Sequence, residues 1–231
     1  MAKRKTTKKK QDDTLVDLVE ARNNAQSFID GNRNLLFGGL TVLVVAIGGI
    51  FFYNNFVKKP KAAEAVNKVW GAEQQFFQDS FAMALANPGG SFQGLKDIVD
   101  QYGSTPTGNV ATFYTGISYL RLGEYQNAID YIEDVDDDGQ IMPIVKYGVL
   151  GDAYSELGDF GKAMSNYKKA VSNGDNEALT PIYLMKVGML NEKEGKFAEA
   201  LAAYKQIKSK YPTSAQGREV EKYLIRLEGR G

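Results

Sequence analysis

Between Arg33 and Lys58 the chain carries no charged side chain, and from Leu35 to Val57 it reads LLFGGLTVLVVAIGGIFFYNNFV. As a helix rising about 1.5 Å per residue, its densest part, Leu35–Tyr53, is long enough to cross a hydrocarbon core about 30 Å thick. Lipid offers the backbone no hydrogen-bonding partner, so a lone segment there must be helical; one segment cannot close a barrel. A core helix of a soluble domain seldom runs so far without a charge. Phe51, Phe52, Tyr53 and Phe56 gather at one end, where aromatic rings favour the membrane–water interface. The run starts too late, and is too long, for a cleaved signal peptide, whose apolar region has about 7–15 residues. The sequence therefore predicts an uncleaved signal-anchor at 35–57, with a short tail before it and a larger domain after it.

The tail holds eight basic residues, Lys3, Arg4, Lys5, Lys8, Lys9, Lys10, Arg22 and Arg33. Basic residues are retained on the cytoplasmic side, which favours a cytoplasmic N-terminus. Nearer the span the balance reverses, because Lys58, Lys59, Lys61 and Lys68 follow it. A short tail with eight positive charges is hard to translocate, so the N-in orientation is the expectation. The first residues, MAKRKTTKKKQ, form a run that is ordinarily solvated; it serves as a topology signal and is suited to touch anionic lipid or the ribosome. Thr14 reads as an N-cap ahead of Leu15, Leu18, Val19, Arg22, Ala25, Phe28 and Ile29. Their spacing predicts an amphipathic juxtamembrane helix within residues 1–34.

Composition narrows what the remainder does. Lys plus Arg is 28 and Asp plus Glu is 28, so nothing points to nucleic acid. With no Cys there is no disulfide framework and no thiol nucleophile; with no His the commonest metal ligand and general base are missing. The chain has no GxxxxGK[ST], GxGxxG, GxSxG or HExxH motif. The reading is a non-enzymatic protein with no cofactor.

After the span, Pro60 suits the first turn of a new helix. Ala62–Ala86 reads as one long helix ended by Asn87-Pro88-Gly89-Gly90, and a second helix runs from about Ser91 to Tyr102, ended by Gly103-Ser104-Thr105-Pro106. Together they predict a helical hairpin over 58–106.

The chain then repeats itself. Leu122-Gly123-Glu124-Tyr125-Gln126-Asn127-Ala128 is echoed by Leu157-Gly158-Asp159-Phe160-Gly161-Lys162-Ala163, and again by Glu194-Gly195-Lys196-Phe197-Ala198-Glu199-Ala200. Seven residues before each turn glycine stand Gly116, Gly151 and Gly188. Four before stand Tyr119, Tyr154 and Asn191. Nine after stand Ile132, Tyr167 and Tyr204. Helix–turn–helix units explain each position: the upstream glycine and the Ala let two helices approach, the aromatic rings fill the space beside them, and the turn glycine takes a left-handed conformation.

G-x-[YF]-x-x-A at this spacing resembles the tetratricopeptide repeat over roughly 107–212, with Pro212 matching the proline that often closes a unit. The fold class expected is all-α: one N-terminal transmembrane helix, then a tetratricopeptide-type solenoid of three to four repeats. The hairpin at 58–106 looks like a degenerate unit. Thr213 or Ser214 caps a last helix in 213–231, whose Lys222, Arg226 and Glu228 give the polar outer face of a terminal cap. The whole arrangement of basic tail, single span, long helix and degenerate repeats resembles the ancillary subunit of the SecYEG translocon, the YfgM family. That resemblance implies a bacterial inner-membrane protein with a periplasmic repeat domain. Its implied partners are Sec translocon subunits, a membrane-anchored prolyl-isomerase-like chaperone, exported polypeptides and membrane lipid. A membrane-anchored scaffold for another envelope assembly, in division or outer-membrane biogenesis, is the alternative; a cytoplasm-facing adaptor would need inverted topology.

In tetratricopeptide arrays the first helix of each unit lines a concave groove. The register places Val110, Phe113, Ile117, Arg121, Val145, Asp152, Ile182, Met185, Met189 and Lys193 there. The Lys and Asn clamp that some such grooves use for a C-terminal carboxylate is absent, since the matching positions are Phe113 and Ile117, Gly148 and Asp152, Met185 and Met189. Apolar, Met-lined surfaces suit segments of varied sequence. Asp134-Val135-Asp136-Asp137-Asp138-Gly139 matches the first half of a calcium loop, which makes Asp134, Asp136 and Asp138 weak metal candidates; the closing Glu position is Val145, and Pro143 interrupts.

Overall fold

The computed structural model describes the backbone of residues 9–87 and 89–228, and side chains from Glu20 onward. Lys3, Arg4, Lys5 and Lys8, the side chains of Lys9, Lys10, Thr14, Leu15, Leu18 and Val19, and Pro88 of the expected Asn87–Gly90 stop lie outside the described residues. Among the described residues there are helices and turns but no strand. The chain divides into two compact units, Met1–Lys59 and Pro60–Gly231.

The first unit holds α1 (Lys9–Gly31) and α2 (Arg33–Phe52), followed by a π turn, Tyr53–Lys58. The helix of the tail begins five residues before Thr14, which is therefore not its cap; the stretch ahead of Thr14 is Lys, Gln and Asp without a Gly or Pro to stop it. One helix is long and apolar enough to cross a membrane, and nothing in its apolar window is buried by protein. Two polar side chains of this stretch bond back to the helix itself. Thr41 Oγ1 donates to the Phe37 carbonyl (2.8 Å), and Asn55 Nδ2 to that of Phe51 (2.9 Å). In the π turn the Lys59 N–H reaches back five residues to the Asn54 carbonyl.

The second unit opens with α3 (Lys59–Phe77), where Pro60 is the second residue. The expected long helix over Ala62–Ala86 does not form. It breaks at Gln78–Ser80, and α4 (Phe81–Leu85) leaves in a new direction. At the break Asp79 is left-handed, with φ of 56°. The Asp79 N–H donates to the Phe76 carbonyl (3.0 Å) and the Ser80 N–H to that of Gln75 (2.9 Å), which is the Schellman closure. Asp tolerates this conformation better than most residues. Around it, Phe76 meets Phe81 edge-on at 5.6 Å and stacks on Tyr114 at 4.5 Å.

Asp79 is a turn of the same pattern as the later glycines. Phe81 stands two residues after it, Ala84 five after and Ala72 seven before, and both alanines are fully buried. The repeat-like spacing thus falls across α3 and α4, not across the two helices 62–86 and 91–102 of the expected hairpin. The next helix, α5 (Leu95–Tyr102), starts later than Ser91 because Asn87 Nδ2 bonds Ser91 Oγ and the Phe92 carbonyl, each at 3.1 Å. Gly94 is pressed against the Leu85 carbonyl oxygen, which would lie 2.5 Å from any added Cβ.

Three hairpins follow: α6 (Pro106–Arg121) with α7 (Tyr125–Glu133), α8 (Met142–Glu156) with α9 (Phe160–Ser172), and α10 (Thr180–Lys193) with α11 (Phe197–Lys210). The turn glycines Gly123, Gly158 and Gly195 have φ of 79°, 77° and 75°. Each makes the same pair of closing bonds, including Glu124 N–H to Tyr119, Asp159 N–H to Tyr154 and Lys196 N–H to Asn191 (2.9, 2.9 and 2.8 Å). The role at four residues before the turn is therefore a carbonyl, which explains why Asn191 serves where Tyr119 and Tyr154 stand. Gly116, Gly151 and Gly188 each abut the residue nine after the turn, Ile132, Tyr167 and Tyr204. Ile132, fully buried, fills the slot that the other copies give to tyrosine. The alanines Ala128, Ala163 and Ala200 are fully buried in all three copies.

The end of the array closes with α12 (Ala215–Glu219) and α13 (Glu221–Leu227), an interruption at Val220 in what the sequence presents as one helix. Of the two candidate caps it is Ser214 that serves, accepting from the Gly217 N–H (2.9 Å) and donating to the Tyr211 carbonyl (2.8 Å). Thr105 caps α6 in the same manner, with the Gly108 N–H at 3.0 Å and the Tyr102 carbonyl at 2.7 Å. Val220, Leu224 and Leu227 seal the core around Tyr204 and Ile207, while Lys222, Arg226 and Glu228 face outward.

Candidate functional site

The repeat period puts equivalent side chains of successive first helices in rows. Ile117, Asp152 and Met189 each stand six residues before their turn glycine; Arg121, Glu156 and Lys193 stand two before. These rows and the intervening Leu120, Val149 and Leu190 line a groove of about 900 Å³ along α6, α8 and α10. Tyr125, Phe160 and Tyr167, from the second helices, complete its wall. The repeat therefore builds a continuous surface: the first helices carry the floor, and the aromatic rings just after the first two turns, Tyr125 and Phe160, lean over it.

At the centre sits a half-buried ionic cluster. Asp152 accepts from the Tyr167 hydroxyl (2.7 Å) and pairs with Lys186 of α10. The Lys186 ammonium also lies 5.6 Å from the centres of the Tyr167 and Tyr183 rings, within cation–π range. Tyr183 occupies the space that Gly148 leaves, where a Cβ would stand 1.9 Å from the ring. Burial, and after it the Asp152 charge, pushes the Tyr167 phenol well above its ordinary value and that of Tyr183 up to about 12. Both phenols stay neutral at physiological pH, so Asp152 has its charge balanced by Lys186. Nearer the rim, Glu156 accepts from the Tyr125 hydroxyl at 3.4 Å, and the Lys193 ammonium lies 3.6 Å over the Phe160 ring. Arg121 is exposed.

Of the residues expected in the groove, Ile117, Arg121, Asp152, Met189 and Lys193 meet around this one cavity. Val110, Phe113, Val145 and Ile182 are half-buried and do not line it; Phe113 packs on the Ile129–Ile132 cluster and Ile182 on that of Ala163 and Tyr167. Met185 is a correction. It is buried among Ala200, Tyr204 and Leu224, which pack over it. Lys186 and Glu156 are groove residues that the sequence reading passed over, and Tyr125, Phe160 and Tyr167 do more than define the repeat. Lys186 stands one period of 34 after Asp152, the separation that brings neighbouring first helices side by side.

The weak calcium candidates Asp134, Asp136 and Asp138 are exposed on an acidic turn. Among the described residues no group of three carboxylates is placed to hold a metal. Asn109 anchors the loop instead: its Oδ1 accepts the Asp136 N–H (2.7 Å) and its Nδ2 donates to the Asp136 carbonyl (3.1 Å). Asp137 takes the Tyr147 hydroxyl (3.1 Å), and Asp134 is the C-cap residue of α7.

A tetratricopeptide-repeat family model matches residues 149–215, a span that takes in the turns at Gly158 and Gly195. Among solved structures, one entitled "Crystal structure of MamA protein" aligns with 74% of this chain and 89% of that chain, at 13% identity and a TM-score of 0.50. At that identity the likeness is one of fold. No curated protein matches the chain. Residues 149–215 of the second unit thus match the tetratricopeptide repeat, a motif generally used for binding other proteins.

Proposed function

We propose that this chain is a non-enzymatic, membrane-anchored protein-binding factor that works as an accessory subunit of the Sec translocon. Its N-terminus is cytoplasmic and its repeats face the periplasm of a bacterial inner membrane. The observation that carries the binding reading is the open groove along α6, α8 and α10, floored by Ile117, Leu120, Val149 and Met189. Membrane anchoring is supported by the charge-free, unburied helix that includes Leu35–Phe52. The translocon assignment rests on the order of basic tail, span and repeats. Tethering confines the groove to a thin layer above the membrane, which raises the effective concentration of any chain emerging there. Weak contacts then suffice, and a groove of Met, Ile, Leu and Phe accepts varied sequences.

The test is photocrosslinking from a benzoylphenylalanine at Met189, in membranes, followed by mass spectrometry. Crosslinks to translocon subunits and to many nascent exported proteins are expected. Crosslinks to a few fixed division or outer-membrane assembly proteins would replace the translocon reading by the scaffold one. No groove-dependent crosslink at all would defeat the binding reading.

A further inference from the structure

We infer that the groove selects segments in which an apolar side chain is flanked by carboxylates, an inference that rests on the groove being the binding surface. Five charged side chains line it: Arg121, Lys186 and Lys193 against Asp152 and Glu156. Of the two acids, Asp152 is neutralised within the protein, whereas Glu156 keeps its charge, so the unpaired charge of the groove is net positive and sits at its two ends. Asp152 is half-buried, paired with Lys186 and hydrogen-bonded by Tyr167. Glu156 takes the Tyr125 hydroxyl. Among the described residues, Arg121 and Lys193 form no ion pair with a carboxylate, and both are exposed.

These two cations come from the same repeat position, two residues before Gly123 and Gly195, so they stand at the outer units of the groove with the α8 unit between them. The floor between sets the apolar Ile117, Leu120, Val149 and Leu190 around the mutually paired Asp152 and Lys186, and Met189 is 49% exposed there. Lys193 rests on the Phe160 ring, so its stem is ordered before a ligand arrives. A bound segment that buries an apolar residue on Met189 and Ile117 would thus meet unpaired positive charge on both sides. A basic segment would meet like charge there, which costs affinity. An uncharged apolar segment would leave the two cations partly desolvated without a partner.

The experiment selects short random peptides displayed on phage against the full-length chain in mild detergent at low ionic strength. Enriched peptides should combine apolar residues with Asp or Glu. Their affinity should fall about tenfold in the Arg121→Glu/Lys193→Glu variant, from the loss of two charge pairs. Replacing the acids of a selected peptide by Lys should restore binding to that variant, which separates lost complementarity from lost folding. Enrichment of neutral or basic peptides, or affinity indifferent to the charge reversal, would overturn this inference and leave the groove reading standing. A library that yields no groove-dependent peptide would overturn both.

Discussion

The ring of Tyr167 lies so close to Gly151 that a Cβ on the glycine would stand 2.4 Å from it. The contact joins the two helices of one unit, α8 and α9. The ring cannot swing away cheaply, because its hydroxyl is held by Asp152 on the groove floor. Packing inside the repeat and the geometry of the site are therefore one structure. Gly151→Ala gains roughly 1 kcal/mol of helix propensity but overpacks the interface at roughly 1–3 kcal/mol, so a net loss is expected. Gly116→Ala should cost less, since Ile132, whose Cδ1 and Cγ1 would stand 2.5 Å from the Cβ, has no hydroxyl tethering it in place. Urea unfolding of the two variants should show this order; equal midpoints would mean that the ring moves freely.

Asp79 is the turn residue of the first unit, and the prediction there has opposite signs for two substitutions. Asp79→Gly frees a left-handed position and should leave stability unchanged or slightly raised. Asp79→Val forces a β-branched residue to φ of 56° and should cost about 1–2 kcal/mol. A tolerated valine, seen as an unshifted thermal midpoint, would show that the α3–α4 turn is not held in this conformation.

The caps at Thr105 and Ser214 can be compared directly. Ser214→Ala removes the acceptor for the Gly217 N–H and should cost about 1 kcal/mol. Gly217→Ala should cost more, because its Cβ would stand 2.0 Å from the Tyr211 carbonyl oxygen, which is backbone and cannot turn aside. Chemical denaturation of both variants tests the ranking.

Alkaline pH should weaken the fold through buried phenols. Tyr167 and Tyr204 are raised by burial and then by Asp152 and Glu192; Tyr183 and Tyr211 are each raised to about 12, by burial and then by Asp152 and Asp175. In the unfolded chain a phenol ionises near 10. The folded state keeps protons that the unfolded state has released, so this stabilisation is complete below about pH 10 and is lost as pH climbs towards the folded values. Followed by ultraviolet absorbance, these four phenols should ionise only together with the loss of helical circular dichroism. A single transition of all of them near pH 10 with helicity intact would refute it.

Sequence alone determined what depends on local chemistry and period. The uncharged run from Leu35 to Val57 marked an apolar helix by its length and its lack of charge. Three copies of glycine, aromatic and alanine at the same offsets fixed the hairpins, because each position answers a close approach that only a small residue allows. Half of the site was legible by register: Ile117, Arg121, Asp152, Met189 and Lys193 follow from which helix comes first in each unit.

Tertiary structure decided the rest. Met185 and Met189 lie only about 40° apart around α10, so helix phase does not separate them; packing of Tyr204 and Leu224 covers Met185 and leaves Met189 exposed. The break at Asp79 was hidden because Asp stands where the other turns carry Gly, and it forms because Phe76, Phe81 and Tyr114 pack only around a turn. Lys186 could be assigned to Asp152 only once neighbouring units were stacked, since an ion pair 34 residues apart has no local signature. The acidic run at 134–138 looked like half a metal site until Asn109, from another helix, took hold of its backbone.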